Sequence, residues 1–298
     1  MCGIVGLFLK DETLHSCLGN MLTQMLSTMG DRGPDSSGMA IYNSSTEDIC
    51  KLTIMSDKSE DDFGIIQNEL EHLLDDEITI SKRHNHAVLN IPKKKFSIVI
   101  EKINQVCPAV RIMSTGERIE IYKEIGLPEQ VTALFNIQEM TGTHGIGHTR
   151  MATESEVTTF GAHPFSTGMD QCLVHNGSLS NHNLLRRKLA REGFFVKTEN
   201  DTEVAAIYLT WKMEQGYTLE EALKQSLFDL DGFFTFLVGT KNGFGVLRDP
   251  IACKPAVMAE TNQYVAFGSE YRALATLPNI NSAKVWEPEP ATVYFWEL

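Results

Sequence analysis

The sequence opens with Met1-Cys-Gly-Ile-Val-Gly6, so that Cys2 directly follows the start methionine. Cysteine is small enough for an aminopeptidase to remove Met1, which would leave Cys2 with both a thiol and a free α-amine. The ordinary pKa values of these two kinds of group are similar, about 8.5 for a thiol and about 7.7–8 for an α-amine. The amine can therefore accept the thiol proton at neutral pH, directly or through one water. One residue would then supply both the nucleophile and its base.

The composition excludes several classes of protein. The 298 residues carry a formal net charge of −13, from 26 Lys and Arg against 39 Asp and Glu, so we expect no nucleic-acid partner. No apolar run is long enough to cross a bilayer, and the apolar start at residues 4–9 is too short for a signal peptide. The six cysteines form no C-x-x-C pair, which argues against zinc ribbons and thioredoxin-type motifs. We therefore expect a reduced, cytoplasmic protein.

The spacing of apolar residues predicts layered α and β structure. Residues 4–9 are typical of a buried strand, and residues 14–29 predict an amphipathic helix that Gly30 ends. A hairpin is predicted where residues 109–113 and 119–122 flank Ser-Thr-Gly-Glu. Further helices are predicted at 183–192, 201–214 and 219–229, and further strands at 39–42, 171–174, 233–238, 245–247, 256–258 and 265–267. This order of elements favours an α+β protein over a doubly wound parallel sheet.

Residues from about 47 to 105 differ in composition from the rest of the chain. Acidic clusters at 60–62 and 75–77 alternate with a basic cluster at 93–95, and no catalytic pattern is present. We predict a solvated surface insertion here, within a single domain that spans residues 1–298. A docking face for a partner is the alternative, although no residue pattern supports it.

Short motifs along the chain contain the residues that could carry chemistry. Each motif is weak alone, because Asn-Gly is typical of a turn and Asn-Asp-Thr-Glu before an apolar run is typical of a helix N-terminal cap. Their combination in this order is far more specific: Cys2-Gly-Ile-Val-Gly6, Asp31-Arg-Gly-Pro-Asp-Ser-Ser-Gly38, Gly147-His-Thr-Arg-Met-Ala-Thr153, His163-Pro-Phe165, His175-Asn-Gly177, Asn200-Asp-Thr-Glu203, Leu247-Arg-Asp-Pro250 and Gly268-Ser-Glu270.

This combination resembles the class II glutamine amidotransferases, whose glutaminase domain has the N-terminal-nucleophile hydrolase fold. The resemblance covers most of the chain and is weakest between about 47 and 105. It implies an α+β, four-layer αββα architecture, with two stacked, mostly antiparallel sheets between helices. Residues 142–153 are most similar to stand-alone amidotransferase subunits related to glutamate synthase. Examples are the small subunit of N-methylglutamate synthase and proteins encoded beside type III glutamine synthetases.

The resemblance implies roles for individual residues in the attack on glutamine. Cys2 would attack the side-chain amide, and Asn176 and Gly177 would form the oxyanion hole through the Asn side chain and the Gly N–H. Arg150 matches the family's arginine for the α-carboxylate, and its planar fork suits that group. Asp201 matches the acid that holds the α-ammonium, although a simple helix cap would also explain an acid there.

Two further residues match the family near the pocket. Arg32 matches an arginine in the loop beside the nucleophile, and we expect it to play a supporting role. His163 matches a histidine close to the glutamine pocket, where it would act as a gate or a structural residue. His144 and His148 have the i, i+4 spacing of a metal pair on a helix, but neighbouring glycines disfavour a helix and no Cys or acid lies at ligand spacing. We therefore predict no metal site.

The sequence contains no phosphoribosyl, sugar-isomerase or ATP-pyrophosphatase signature, and no G-x-G-x-x-G or P-loop. We therefore expect no cofactor in this chain, and an acceptor reaction on another chain of a hetero-oligomer. By resemblance, the partners are a glutamate-synthase-like subunit with FMN and an iron–sulfur cluster, and a small β-helix-like subunit. Formation of a γ-glutamyl thioester on Cys2 would release ammonia from glutamine; alternatively, such a thioester would pass a glutamyl group to methylamine.

Two other interpretations stay open. An N-terminal-nucleophile amidase could act on other amides, although the charge pair Arg150 and Asp201 would be wasted on an acyl substrate. The chain could instead be a non-catalytic assembly subunit, which a retained Met1 would favour. The complete set of Cys2, Asn176 and Gly177 argues against such decay.

Overall fold

The computed structural model describes residues 2–74, 78–152 and 156–298, so Met1, the acidic cluster at 75–77 and Thr153 lie outside the described residues. The strands are β1 (Gly3–Leu9), β2 (Ser36–Tyr42), β3 (Ile49–Met55), β4 (Thr79–Arg83), β5 (His86–Pro92), β6 (Arg111–Gly116), β7 (Ile119–Ile125), β8 (His144–Arg150), β9 (Phe165–Ser166), β10 (Cys172–Leu179), β11 (Gly232–Gly239), β12 (Gly243–Arg248), β13 (Val257–Glu260), β14 (Tyr264–Gly268), β15 (Lys284–Trp286) and β16 (Val293–Glu297). The α-helices are α1 (Leu18–Ser27), α2 (Ser59–Leu74), α3 (Phe96–Val106), α4 (Pro128–Leu134), α5 (His182–Arg191), α6 (Asp201–Glu214), α7 (Leu219–Asp229) and α8 (Tyr271–Leu274). Within these described ranges, no helix has the length and apolar character needed to cross a bilayer.

The strands form three sheets whose paired strands run antiparallel. The seven-stranded sheet has the order β15-β13-β14-β1-β8-β2-β7, and the five-stranded sheet has the order β16-β12-β11-β10-β9. The four-stranded sheet has the order β4-β5-β3-β6. In the seven-stranded sheet β1 lies between β14 and β8, with Val5 opposite Gly268 on one side and Gly147 on the other. Its buried central position holds the start of the chain in place.

The alternation of side chains along β1 shows why the two larger sheets stack. Successive side chains of a strand point to opposite faces of its sheet. Val5 packs in a core with α1, α4 and α8, whereas Ile4 and Phe8 pack against side chains of the five-stranded sheet. Gly6 points the same way as Ile4, and a Cβ there would lie 2.6 Å from Leu237 Cδ2. The missing side chain at Gly6 therefore lets the sheets approach closely.

Helices α5, α6 and α7 cover the other face of the five-stranded sheet. They contribute buried apolar residues such as Leu189, Val204 and Leu223 to a core shared with β10 and β11. Helix α7 begins in a capping box, in which the Thr218 hydroxyl accepts from the Glu221 N–H and the Glu221 carboxylate accepts from the Thr218 N–H. The layers are helix, sheet, sheet and helix, which confirms the predicted α+β, four-layer αββα architecture.

The structure corrects two sequence-based predictions of local structure. The predicted helix over residues 14–29 is a 3-10 helix (Glu12–Cys17) followed by α1, which ends at Ser27. The predicted hairpin around Ser-Thr-Gly-Glu is wrong, because β6 pairs with β3 in the four-stranded sheet whereas β7 pairs with β2 in the seven-stranded sheet. A short connection between two strands resembles a hairpin in sequence even when it passes from one sheet to another.

The charged segment from about 47 to 105 forms most of the four-stranded sheet and its helices. Strands β3 and β5 pair along their full length, and α2 and α3 bury Phe63, Ile66 and Val99 against them. This core is separate from the cores of the larger sheets. The segment therefore buries an apolar interior of its own and is less solvated than its charge clusters suggested. Its treatment as an insertion within one domain stays a prediction.

Candidate active site

Cys2 lies immediately before β1, where three distant parts of the chain meet. Its carbonyl oxygen accepts hydrogen bonds from Arg32 Nε at 3.0 Å and from Asn176 Nδ2 at 3.2 Å. Its Sγ accepts from the N–H of Met151 at 3.4 Å. The thiol is only partly buried, so a small molecule can reach it. The structure thus brings together three of the predicted site residues, Cys2, Arg32 and Asn176.

A chain of ion pairs runs outward from Arg32. The Arg32 guanidinium is buried and pairs with the Glu270 carboxylate through Nη1. The second oxygen of Glu270 accepts from Arg272 Nε at 2.7 Å, and Arg272 in turn pairs with Asp31 at 2.6 Å. Because the inner end of this chain is bonded to Cys2, the charges fix the main chain of that residue.

The Asn176 amide is held by a serine that the sequence analysis gave no role. Asn176 Nδ2 donates to Ser269 Oγ at 3.0 Å, and Ser269 Oγ also accepts from the N–H of Ile4 at 2.9 Å. The serine hydroxyl therefore joins the strand that follows Cys2 to the predicted oxyanion donor. The sequence signal for this role was its motif, Gly268-Ser-Glu270, which also supplies the Glu270 partner of Arg32.

Gly177 follows Asn176 inside a strand rather than after one. The predicted end of this strand at Val174 is wrong, since β10 continues to Leu179 and Gly177 pairs with Phe234. The φ angle of Gly177 is +152°, and a Cβ there would lie 2.0 Å from the carbonyl oxygen of Phe233. Only glycine fits this close approach. Glycine at this position therefore lets β10 continue through the Asn-Gly pair, next to Cys2.

Asp201 is the first residue of α6, and hydrogen bonds fix both the helix end and the carboxylate. The preceding Asn200 caps the helix, its side chain accepting from the N–H of Thr202 at 2.9 Å. The Asp201 Oδ2 accepts from the N–H of Leu179 at 2.9 Å. About a quarter of the Asp201 side chain is exposed, at 23%, so the carboxylate can still meet a ligand.

Three buried histidines lie behind Asp201, and the Thr202 hydroxyl contacts two of them. Thr202 Oγ1 lies 2.8 Å from His163 Nε2 and 3.0 Å from His175 Nδ1. The ring of His148 stacks on that of His163 with centroids 3.9 Å apart, and its Nε2 donates to the carbonyl of His175. Burial lowers the pKa of all three, in the case of His148 to about 3, so the layer is neutral.

Arg150 lies at the end of β8, one residue before the main-chain contact of Met151 with Cys2. Its guanidinium is buried and donates to the carbonyl of Glu156 at 3.2 Å. His148 and Arg150 are two residues apart in β8, so their side chains leave the same face of the sheet, and the guanidinium charge adds to burial in lowering the pKa of His148. The predicted carboxylate ligand and His163 therefore share one environment.

Lys123 is a site residue that the sequence analysis missed. Its ammonium is buried beneath the segment that carries His163, and it donates to the carbonyls of Phe160, Ala162 and Pro164 at 3.0, 2.7 and 3.2 Å. Burial lowers its pKa to about 7. Three carbonyl acceptors match the three donors of an ammonium group, so this lysine fastens the His163 segment to β7.

The histidine pair considered for a metal lies on a strand. His144 and His148 both belong to β8, and His144 stacks on Tyr42 while its Nε2 donates to the carbonyl of Thr240. In the part of the chain that the structure describes, no three His, Cys, Asp or Glu side chains gather in a way that could hold a metal ion.

Comparison with known proteins places this site in a family. The family described as "Glutamine amidotransferase domain" matches residues 148–276. The "Glutamine amidotransferase-like protein GlxB" of Rhizobium meliloti (strain 1021) is 62% identical over 297 residues, which cover 100% of this chain and 98% of the relative. A "Putative glutamine amidotransferase" of Methanothermobacter thermautotrophicus is 32% identical over 309 residues and covers 99% of both chains.

Solved structures show the same fold at low sequence identity. The glutamine phosphoribosylpyrophosphate amidotransferase of B. subtilis superposes with a TM-score of 0.64 at 19% identity, covering 99% of this chain and 47% of that one. An allosteric regulatory enzyme of purine biosynthesis gives a TM-score of 0.65 at 20% identity, with the same coverage. This chain therefore spans about half the length of those two proteins. Its full-length similarity to the two sequence relatives shows that the chain belongs to the class II glutamine amidotransferase family.

Proposed function

We propose that this chain hydrolyses the side-chain amide of glutamine and that Cys2 is the nucleophile. The observation that carries the proposal is the meeting of Arg32 Nε and Asn176 Nδ2 on the carbonyl oxygen of Cys2. Two donors from distant loops and strands fix the main chain of one partly exposed cysteine. Such fixing suits a nucleophile, because a reacting group has to be held close to its attack geometry.

The proposed reaction needs only groups of this chain, glutamine and water. Once Met1 is removed, the α-amine of Cys2 takes the thiol proton and Sγ bonds to the side-chain carbonyl carbon of glutamine. The resulting oxyanion accepts from the N–H of Gly177 and from Asn176 Nδ2, one N–H of which turns to it from the carbonyl of Cys2 while the other stays on Ser269. The α-ammonium returns its proton to the leaving nitrogen, so ammonia departs and a γ-glutamyl thioester remains. Water then cleaves the thioester to glutamate and regenerates the thiol.

We further propose that Arg150 and Asp201 bind the two charged groups of glutamine. The guanidinium of Arg150 offers a planar fork for the α-carboxylate, and the partly exposed carboxylate of Asp201 accepts from the α-ammonium. We propose that His163, which is bonded to the Thr202 hydroxyl next to Asp201, forms part of the pocket wall. A pair of opposite charges favours a zwitterion over a simple acyl amide.

The use of the ammonia is a separate proposal. We propose that it, or the γ-glutamyl group, passes to a partner synthase of glutamate-synthase or N-methylglutamate-synthase type, which carries FMN and an iron–sulfur cluster in a hetero-oligomer. Support comes from the resemblance of the motifs to stand-alone amidotransferase subunits related to glutamate synthase. All six cysteines are free thiols, which fits a reducing, cytoplasmic setting.

Intact mass spectrometry tests the first proposal. The full chain is measured before and after incubation with 6-diazo-5-oxo-L-norleucine, an electrophilic analogue that keeps both charged groups of glutamine. We expect a mass without Met1 and one adduct on Cys2, no adduct on a Cys2→Ala variant, and an unchanged adduct yield for Cys17→Ala. A chain that retains Met1 and gains no adduct would overturn the proposal in favour of an assembly subunit.

The partner proposal has its own test. The tagged chain is purified from its native cell and the co-purifying proteins are examined for flavin absorbance and for iron. Ammonia release from glutamine is then compared between the isolated chain and the purified complex. A chain that hydrolyses glutamine fully without flavin protein attached would overturn the partner proposal and leave the hydrolase proposal intact.

A further inference from the structure

The contacts of Thr202 point to a function beyond the start of α6. Its hydroxyl is buried and contacts His163 Nε2 at 2.8 Å, His175 Nδ1 at 3.0 Å and Asp201 Oδ1 at 3.5 Å. A hydroxyl has one proton to donate and two lone pairs to accept with. Three polar neighbours therefore use its full bonding capacity, and the neighbours decide where the one proton goes.

The chemistry of the neighbours assigns that proton to Asp201. A carboxylate only accepts, whereas a neutral imidazole carries one N–H that it can donate. His163 Nδ1 and His175 Nε2 have no hydrogen-bond partner among residues 2–74, 78–152 and 156–298, so each ring proton is best placed on the nitrogen that faces Thr202. Both histidines then donate to Oγ1, and the hydroxyl donates to Asp201 Oδ1.

This arrangement fixes the Asp201 carboxylate from both sides. Its Oδ2 accepts from the N–H of Leu179 at 2.9 Å, and its Oδ1 accepts from Thr202. The rotation of the side chain is restrained, while its exposed side stays open. A preset carboxylate binds a cation with less ordering cost than a free one.

We propose that Thr202 is a positioning residue for substrate recognition, which holds the Asp201 carboxylate in place for the α-ammonium of glutamine through a hydroxyl shared with His163 and His175. This inference rests on the proposed function. It gives the threonine no contact with substrate and no part in the attack by Cys2. Its loss should therefore weaken recognition of the charged end of glutamine and leave the reactivity of the thiol unchanged.

The test compares two electrophiles that both alkylate Cys2 in the full chain. The glutamine analogue 6-diazo-5-oxo-L-norleucine carries an α-ammonium, whereas iodoacetamide carries none. Thr202→Val keeps the shape of the side chain but removes the hydroxyl, and Thr202→Ser keeps the hydroxyl. The second-order rate of each reaction at Cys2 is read by peptide mass mapping, because Cys17 and Cys253 are exposed free thiols that iodoacetamide also alkylates. Thr210→Val is the matched control, because Thr210 lies on the same helix and bonds to Thr167 away from the site.

We expect Thr202→Val to slow labelling by the analogue about tenfold, the effect of losing a hydrogen bond to a charged group. Iodoacetamide labelling should stay within about twofold, and Thr202→Ser and Thr210→Val should label like the wild type with both reagents. In an Asp201→Asn background, Thr202→Val should have no further effect, because the group that it positions is already altered.

Several results would overturn the inference. Equal slowing of both reagents by Thr202→Val would mean that the threonine only supports the fold, and so would a Thr202→Ser variant as slow as Thr202→Val. Additive effects of the two substitutions would mean that Thr202 does not act through Asp201. A wild-type chain that iodoacetamide labels and the analogue does not would instead refute the proposed function, and the inference with it.

Discussion

Arg32 Nε donates a hydrogen bond of 3.0 Å to the carbonyl oxygen of Cys2. The same guanidinium pairs through Nη1 with Glu270, so its fork joins Cys2 to a carboxylate on the segment after β14. These two interactions join the first, second and eighth of the motifs in the sequence, which contain Cys2, Arg32 and Glu270. We therefore expect Arg32 to support the proposed reaction as a clamp on the main chain of Cys2.

Arg32→Lys should lower kcat for glutamine hydrolysis by about ten- to a hundredfold with little change in KM. Lysine keeps the positive charge, but its single ammonium cannot reproduce a fork that serves both the Cys2 carbonyl and Glu270. The measurement is steady-state ammonia release. Arg83→Lys is the control, because Arg83, in the four-stranded sheet, also donates to a main-chain carbonyl, that of Phe135 after α4. A loss that appeared in KM alone would contradict the clamp.

Asn176→Asp should reduce kcat by about 10²–10³-fold, because it replaces the proposed oxyanion donor by an acceptor of the same shape. Ser269→Ala removes the hydroxyl that holds the Asn176 amide, and we expect it to cost less than about tenfold. In the double variant the serine effect should vanish, since it acts through the amide. Steady-state kinetics measure all three variants.

The control is Asn181→Asp, because the Asn181 side chain is bonded to the main chain of Asp229 and Asp231. This variant should leave kcat unchanged. A raised KM with normal kcat in Asn176→Asp would contradict the oxyanion role.

The elements next to the site could be predicted because local signals and tertiary structure agree there. The first residues of α6 and α7 follow from Asn200 and Thr218, whose side chains cap the helix N-termini by hydrogen bonds to residues two or three positions further on. The apolar run of β1 likewise matches its buried position between two strands. Each of these signals is carried by residues close together in the sequence.

The features that were not predicted from the sequence have a different cause, because these features depend on contacts between distant segments. Strand β10 continues through Asn176 and Gly177 only because β11 pairs with it, and an Asn-Gly sequence alone indicates a turn. Strands β3 and β5 of the four-stranded sheet were hidden by the charged residues on their helices and loops. The burial of Lys123 could have been predicted from the sequence, because it shares the inward face of β7 with Ile119 and Ile121.

Lys123→Met should destabilise the protein and weaken glutamine binding together. The substitution leaves three buried carbonyl oxygens without their donor, and each buried unsatisfied group costs about 1–3 kcal/mol of unfolding free energy. Because those carbonyls lie around His163, the pocket wall loosens and KM should rise several-fold. Urea unfolding and steady-state kinetics measure the two effects. Lys51→Met, which removes a partly buried ion pair with Glu120, should lower stability without changing KM. An unchanged KM in Lys123→Met would mean that the lysine serves the fold alone.

Burial of His86 in the four-stranded sheet should make the free energy of unfolding depend on pH. The side chain is fully buried, its ring meets that of Phe135 edge-on at 4.9 Å, and burial lowers its pKa from 6.5 to about 3. The unfolded chain therefore binds a proton more tightly than the folded chain between these pH values. Stability contributed by the neutral ring is complete above pH 6.5 and is lost as pH falls towards 3.

His86→Phe keeps an aromatic ring in this place but removes the titration. The free energy of unfolding of the wild type should fall more steeply below pH 6.5 than that of His86→Phe, by up to about 1.4 kcal/mol per pH unit, which corresponds to one proton. Urea unfolding at a series of pH values from 7.5 downwards measures the difference. Leu89→Ala, in the same strand, should lower stability at every pH without changing the slope, because it removes buried apolar atoms and no titrating group. Parallel curves for the wild type and His86→Phe would show that the buried ring does not resist protonation, and would refute the lowered pKa.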